Sequence, residues 1–201
     1  FDDMVRTFCV NPNGYVVLEN TNGIITVNGH SYADSPSDNT NFALLMSQEF
    51  TEPFDKPILY GRCISSLANM LSGSIIVQRY GDLKRGRRST PERLARGLVT
   101  PTLKVAVPGD LSLVLPHRYL IGIIECLEAM DKAFPGVAAD HTLLYGVEAK
   151  FYSARPQLDG QLRTPIQGLW AIGDGAGVTR GLIQASVSGV VAAQAILEQI
   201  G

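Results

Sequence analysis

The residues best suited to chemistry lie near the C-terminus, in Thr164-Pro-Ile-Gln-Gly-Leu-Trp-Ala-Ile-Gly-Asp174 followed by Gly175-Ala-Gly-Val-Thr-Arg-Gly181. The apolar run Leu169 to Ile172 predicts a short buried strand that ends on Gly173-Asp174. Small residues predict a helix behind it, from about Leu182 to Leu197. A carboxylate held at a strand end is a pre-oriented acceptor for sugar hydroxyls. The unpaired amides and positive end of a helix favour electron-rich oxygens. Together these describe a dinucleotide site. The same Gly-Asp pair also suits a plain helix cap, and the residues alone leave both readings open.

Other side chains offer different chemistry. Arg79, Lys84, Arg85, Arg87 and Arg88 form the densest basic cluster. Guanidinium forks suit a carboxylate or phosphate, and a solvated charged loop is the plainer reading. The cluster is short and lacks interleaved aromatics, which argues against nucleic acid. His117 and Arg118 follow Pro116 at a helix start, where an imidazole can donate a proton near neutral pH or simply cap the helix. Tyr145 and Asp110 are weaker candidates of the same kind.

These groups need elements to position them. Thr7 to Val10, Tyr15 to Glu19 and Ile24 to Asn28 read as a three-stranded meander, because Asn-Pro-Asn-Gly and Asn-Thr-Asn-Gly separate them. A further strand is expected over Asn41 to Ser47. Asp55 and Pro57 begin a helix to about Leu71, with Leu59, Cys63, Leu67 and Met70 on one stripe and Gly73 as its stop. Ile75 to Gln78 and Leu103 to Val107 are strand-like, and Arg79 to Arg88 reads as a charged loop. Thr90-Pro91-Glu92 has the residue types of a helix start. A longer helix follows Pro116 to about Phe134, with Leu120, Ile123, Ile124, Leu127 and Met130 on its apolar face. Leu144 to Tyr152 alternates as a half-exposed strand does.

Composition narrows the class. A chain of 201 residues with 45% apolar residues suits one domain, or one domain and part of another. The formal net charge of −2 gives no field that would draw nucleic acid or an acidic membrane. No apolar run approaches the roughly 18 residues of a membrane span. Three widely spaced cysteines fit neither a disulfide framework nor a redox dithiol, which suits the cytoplasm. The histidines lack the spacing of zinc ligands, so no metal is expected. The chain starts at Phe1 and not at Met, which suggests that it continues upstream.

The Thr164 to Asp174 spacing resembles the second FAD-binding motif of the flavoprotein superfamily typified by glutathione reductase. Asn11-Pro-Asn-Gly14, Asn28-Gly-His-Ser31, Thr40-Asn-Phe-Ala-Leu44, Gly81-Asp-Leu83, Gly86-Arg-Arg88, Pro108-Gly-Asp-Leu111, Thr142-Leu-Leu-Tyr145 and Gly173-Asp-Gly-Ala-Gly177 extend the likeness. Over nearly its whole length the chain is similar to the prokaryotic FAD-dependent dehydrogenases of uncharacterised substrate. The resemblance implies FAD as cofactor, with Gly173, Asp174, Gly175, Gly177, Thr179, Arg180, Gly181 and Leu182 around its ribityl and ring portions. It implies an α+β fold: residues 1–141 as an inserted substrate-side domain, and 142–201 as the last strand and helix of a Rossmann-like FAD domain. No GxGxxG within a βαβ unit precedes an acid about 20 residues on, so the pyrophosphate half is expected before Phe1. The isolated chain is then expected to be inactive. A small organic substrate, with NAD(P)H as donor or acceptor, completes the expectation. Arg79, Arg87, Arg88, Arg118 and Tyr145 are its substrate or anion candidates, and His117 its catalytic one. The rival is a non-catalytic interaction or ligand-binding module that keeps a remnant of the fold.

Overall fold

Two antiparallel strand pairs open the chain, and they are not a meander. A computed structural model describes residues 3–150 and 155–200. Strands β2 (Tyr15–Thr21) and β3 (Ile24–His30) form a regular hairpin, from Tyr15 opposite His30 to Thr21 opposite Ile24. Its two-residue turn, Asn22-Gly23, has positive φ at both positions, 54° and 80°, which matches the twist of a tight hairpin. Strand β1 (Val5–Asn11) bypasses β2 and pairs with β4 (Asn41–Met46), Val5 opposite Met46. The reason lies in Asn11-Pro12-Asn13-Gly14. Pro12 has no ladder donor, and the segment is tied to the following loop: Gly14 N donates to Asn39 O at 2.8 Å, and Ser37 N to Asn13 O at 2.9 Å. That loop returns the chain beside β1.

Helix α1 (Pro57–Ser72) begins on its proline and ends where Gly73, in the left-handed region, donates to Asn69 O at 2.6 Å. Its expected apolar stripe is corrected. Leu59, Cys63 and Met70 are exposed, whereas Ser65 and Ala68 are buried. Asn69 sets this rotation. Its Oδ1 accepts from Ile25 N at 2.8 Å, and its Nδ2 donates to Ile25 O at 2.9 Å and Ser74 O at 2.8 Å. Small residues beside it let the helix approach the β3 backbone closely.

Strand β5 (Ile76–Arg79) is central in a three-stranded sheet, parallel to β6 (Val107–Pro108) and antiparallel to β7 (Leu143–Gly146). Ala68, Ile76, Leu111, Val114 and Val147 pack into the core beside it. The strand expected from Leu103 shrinks to the two residues of β6. The expected charged loop instead starts with helix α2 (Tyr80–Lys84), in which Tyr80, Gly81, Asp82 and Leu83 are all buried. Helix α3 (Pro91–Ala95) is capped by Thr90, which accepts from Arg93 N. Helix α4 (His117–Asp131) stops short of Phe134, because Asp131 turns back to accept from Gly136 N at 2.8 Å and Ala138 N at 3.0 Å. Its Leu120 and Leu127 are buried.

The expected strand over Leu144 to Tyr152 ends early, at Gly146. Val147 leaves β5, and its carbonyl accepts from Val27 N at 3.1 Å. Phe151 and Tyr152 lie outside the described residues. Two compact units divide the chain, Phe1–Ala149 and Lys150–Gly201, so β7 belongs to the first. In the second unit the Leu169 to Ile172 strand is also corrected. A short hairpin replaces it, with Ala171 N donating to Leu162 O, Thr164 N to Leu169 O, and Arg163 bridged to Trp170. Leu169 and Ile172 are exposed, not buried. Helix α5 (Leu182–Ile200) closes the chain. The whole is a mixed α/β structure with small sheets.

Candidate functional site

The loop before α5 is shaped by its glycines. Gly173 has φ 73° and ψ −173°, a region essentially closed to residues with a Cβ. This turns the chain out of the hairpin and sends Gly173 N to Ser188 Oγ at 3.0 Å, while that hydroxyl donates to Ala185 O at 2.7 Å. Asp174–Ala176 then form a single 3-10 turn closed by Gly177 N on Asp174 O. The Asp174 carboxylate accepts from Thr179 Oγ1 at 2.6 Å and from Gly181 N at 3.2 Å. It therefore clamps the loop onto the start of α5. It is also exposed, and a carboxylate has about four lone-pair sites, so acceptor capacity remains.

The surroundings of Asp174 are open. A Cβ placed on Gly175 would meet nothing within 4 Å. Arg180 is exposed, and Leu182 and Ile183 in the first turn of α5 are 89% and 76% exposed. Helix α5 is two-faced. Ser188, Ala192 and Ala195 are buried, while Leu182, Ile183, Val187, Val190 and Leu197 form an exposed apolar stripe. The sequence-predicted residues from Gly173 to Leu182 thus come together in one loop and helix start.

The candidates of the first unit are spread over several places. Arg87 Nε donates to Asp82 Oδ1 at 2.8 Å, and Ser89 Oγ to Asp82 Oδ2 at 2.8 Å. Burial alone would raise the Asp82 carboxyl; the bonds from Ser89 and Arg87, with the charges of Arg87 and Arg79, outweigh it and hold the group below its ordinary value. Arg79 is half-buried, and its Nε finds no acceptor among the described residues. The Arg88 side chain is exposed, and its carbonyl accepts from Arg93. Arg85 pairs with Asp140 and Lys84 with Glu128. Arg118 forms a two-pronged pair with Asp3. His117 is exposed at the first position of α4.

Tyr145 stands elsewhere, in the wall of a half-open groove of about 840 Å³ lined in part by β2, β3, β4, α4 and β7. Burial pushes its phenol up to about 12, against the pull of the Thr102 and Leu103 backbone amides, so it keeps its proton at neutral pH. Sequence reasoning missed this groove, because Asn28, Asn39 and Asn41 in its wall read only as turn or strand-end residues. Cys9 and Cys63 are exposed and Cys126 is half-buried. Among the described residues no His, Cys, Asp and Glu side chains cluster as a metal site requires, and no helix is long and apolar enough to cross a membrane.

Comparison with known proteins places this architecture. The model of the family described as FAD-dependent protein, C-terminal domain-like, matches residues 2–151, and the chain belongs to that family. A protein of Clostridium beijerinckii, named only as uncharacterized, is 30% identical over 207 residues, which cover 97% of this chain and 38% of that protein. The chain therefore spans well under half the length of this curated relative. The Gly173 to Leu182 loop lies beyond the family match.

Proposed function

We propose, from the premise of that family membership, that the chain is the C-terminal part of an FAD-dependent oxidoreductase and supplies the ribityl and isoalloxazine side of the flavin site. The observation that carries this reading is Asp174, an exposed carboxylate in a glycine loop that leads directly into a 19-residue helix. The open space at Gly175 and the exposed first turn of α5 fit a large planar group. When bound, FAD supplies the redox chemistry, and the protein positions it and tunes its charge.

The chain's own residues have defined tasks in this reading. Asp174 keeps the loop closed through Thr179 and Gly181 and offers its remaining lone pairs to a sugar hydroxyl. The first-turn amides of α5 have no intrahelical acceptor, as at any helix start, and favour electron density on a neighbouring ring oxygen. Arg180 adds positive charge beside them. The first unit, whose sheet includes β7, forms the substrate-side domain, and the second unit completes a Rossmann-like FAD domain of the glutathione-reductase type. The whole protein is a cytoplasmic dehydrogenase that exchanges reducing equivalents between a small organic substrate and NAD(P)H. His117, an exposed imidazole, is its proton donor. Arg87 is engaged by Asp82, which leaves Arg88 as the accessible anion contact of that loop.

Flavin titration of the full-length protein tests the reading. Asp174→Ala removes a charge-assisted hydrogen bond of about 1.5–3 kcal/mol, so FAD affinity should fall about ten- to a hundredfold. Circular dichroism should stay unchanged, because the side chain is exposed. Unchanged flavin affinity would return Asp174 to a plain helix cap. A full-length protein that takes up no flavin would favour the non-catalytic interaction module.

A further inference from the structure

We infer that the first unit carries a site for the phosphate group of a small molecule, centred on Arg79 with Arg88, Arg93 and Arg96 as its outer cations. The inference extends the anion contact read at Arg88 and does not depend on the flavin reading.

Charge is the first argument. Residues 79–96 hold seven of the chain's 17 basic residues and two acidic ones, Asp82 and Glu92. The whole chain has a formal net charge of −2, so this segment is a basic island on an acidic molecule. Three of the seven are spent: Arg87 on Asp82, Arg85 on Asp140 and Lys84 on Glu128. Arg79, Arg88, Arg93 and Arg96 remain. Glu92 balances one of them, with Arg96 and Arg88 both pulling on it. Asp110 accepts from Gln78 and from Ser112 N. Counted whole, it still leaves two positive charges in excess.

Geometry gathers the four. Arg79 ends β5, and its backbone N donates to Ser89 Oγ at 2.8 Å, directly after Arg88. Its Nε–H is buried and meets no acceptor among the described residues, whereas buried donors are ordinarily satisfied. Its charge acts on Asp82 and Asp140, yet Asp82 is held by Arg87 and Ser89, and Asp140 by Arg85. The donors of Arg79 are therefore not spent inside the ion network. The side chain stands against the loop after α3: a Cβ added to Gly97 would lie 3.9 Å from its Nε. Helix α3 brings two more arginines there. Arg93 donates to Arg88 O at 2.7 Å, and Arg96 Nε to Glu92 O at 3.1 Å. Arg79 is half-buried, and Arg88 and Arg96 are exposed, so an anion can reach the group from solvent.

The excess charge sets the class. Guanidinium forks match the oxygens of carboxylates and phosphates alike. A surplus of two or more positive charges attracts a dianion more strongly than a monoanion, which favours a phosphate over a single carboxylate.

Calorimetric titration of the full-length protein with inorganic phosphate tests this. It is run in the presence of FAD, at constant ionic strength and at about pH 8, where phosphate carries its second charge. FAD then fills any pyrophosphate pocket of its own, and the flavin absorbance of the same sample reports on that reading separately. Phosphate should saturate one site per chain, with acetate about tenfold weaker or more. Arg79→Gln should weaken phosphate by about tenfold or more. Arg96→Glu, a surface change, should weaken it several-fold, while Lys56→Glu, the same change of charge outside the segment, should leave it within about twofold. Competition by NADPH and not by NADH would give a nucleotide as the source of the phosphate; competition by neither would give a phosphorylated substrate. No saturable phosphate site, wild-type affinity in Arg79→Gln, or equal effects of Arg96→Glu and Lys56→Glu would overturn the inference. Should Arg79→Gln fail to fold, the comparison of Arg96→Glu with Lys56→Glu decides.

Discussion

Arg87→Ala separates a structural arginine from a ligand-gripping one. The Asp82 carboxylate has no exposed surface, and it holds Arg87 Nε and Ser89 Oγ, each at 2.8 Å. Truncating Arg87 leaves a buried anion with the Ser89 hydroxyl as its remaining side-chain donor. Breaking a fully buried pair costs about 3–5 kcal/mol. The Arg87 side chain is 44% exposed, so water can reach the vacated space and the cost falls to about 2–4 kcal/mol. For a chain of this size that lowers the melting temperature by roughly 5–15 °C. Scanning calorimetry of wild type and variant at pH 7 and pH 3 measures it. Asp82 has a folded-state pKa below its unfolded value, so its stabilisation is complete above about pH 4 and lost as pH falls through the folded value. The gap between the two proteins should be wide at pH 7 and narrow in acid. Equal melting at pH 7, or a gap indifferent to pH, would refute the reasoning and return Arg87 to ligand binding.

Asn69→Ala should destabilise the first unit by about 2–4 kcal/mol, since it strips both backbone groups of Ile25 and the carbonyl of Ser74 of their partners. Urea unfolding reads this, and faster hydrogen exchange at Ile25 should accompany it. His117→Gln should slow one half-reaction of the full-length flavoprotein in stopped-flow while leaving FAD binding intact, because the amide offers no proton near neutral pH. If both half-reactions match wild type, His117 is structural.

Local chemistry was legible in the chain by itself. Thr90 before Pro91 starts a helix by capping Arg93 N, Gly73 ends one in the left-handed region, and Asn22-Gly23 makes a tight hairpin. Each depends on residues a few positions apart, whose φ preferences and short side-chain reach act whatever the rest of the molecule does. The Gly173 to Leu182 loop was visible for the same reason, as glycines and a carboxylate before small helical residues. Partners distant in sequence were decided by tertiary structure. The pairing of β1 with β4 depends on the loop from residue 31 to 40 reaching back to Gly14. The outward stripe of α1 follows from Asn69 reaching a strand 44 residues away, which outweighs the pull of Leu59 and Met70 toward a core. Arg87 reads as a free surface cation until Asp82 is buried beside it. The groove beside Tyr145 has no signature along the chain, because it is the space left where elements distant in sequence meet, and no one of those elements encodes it.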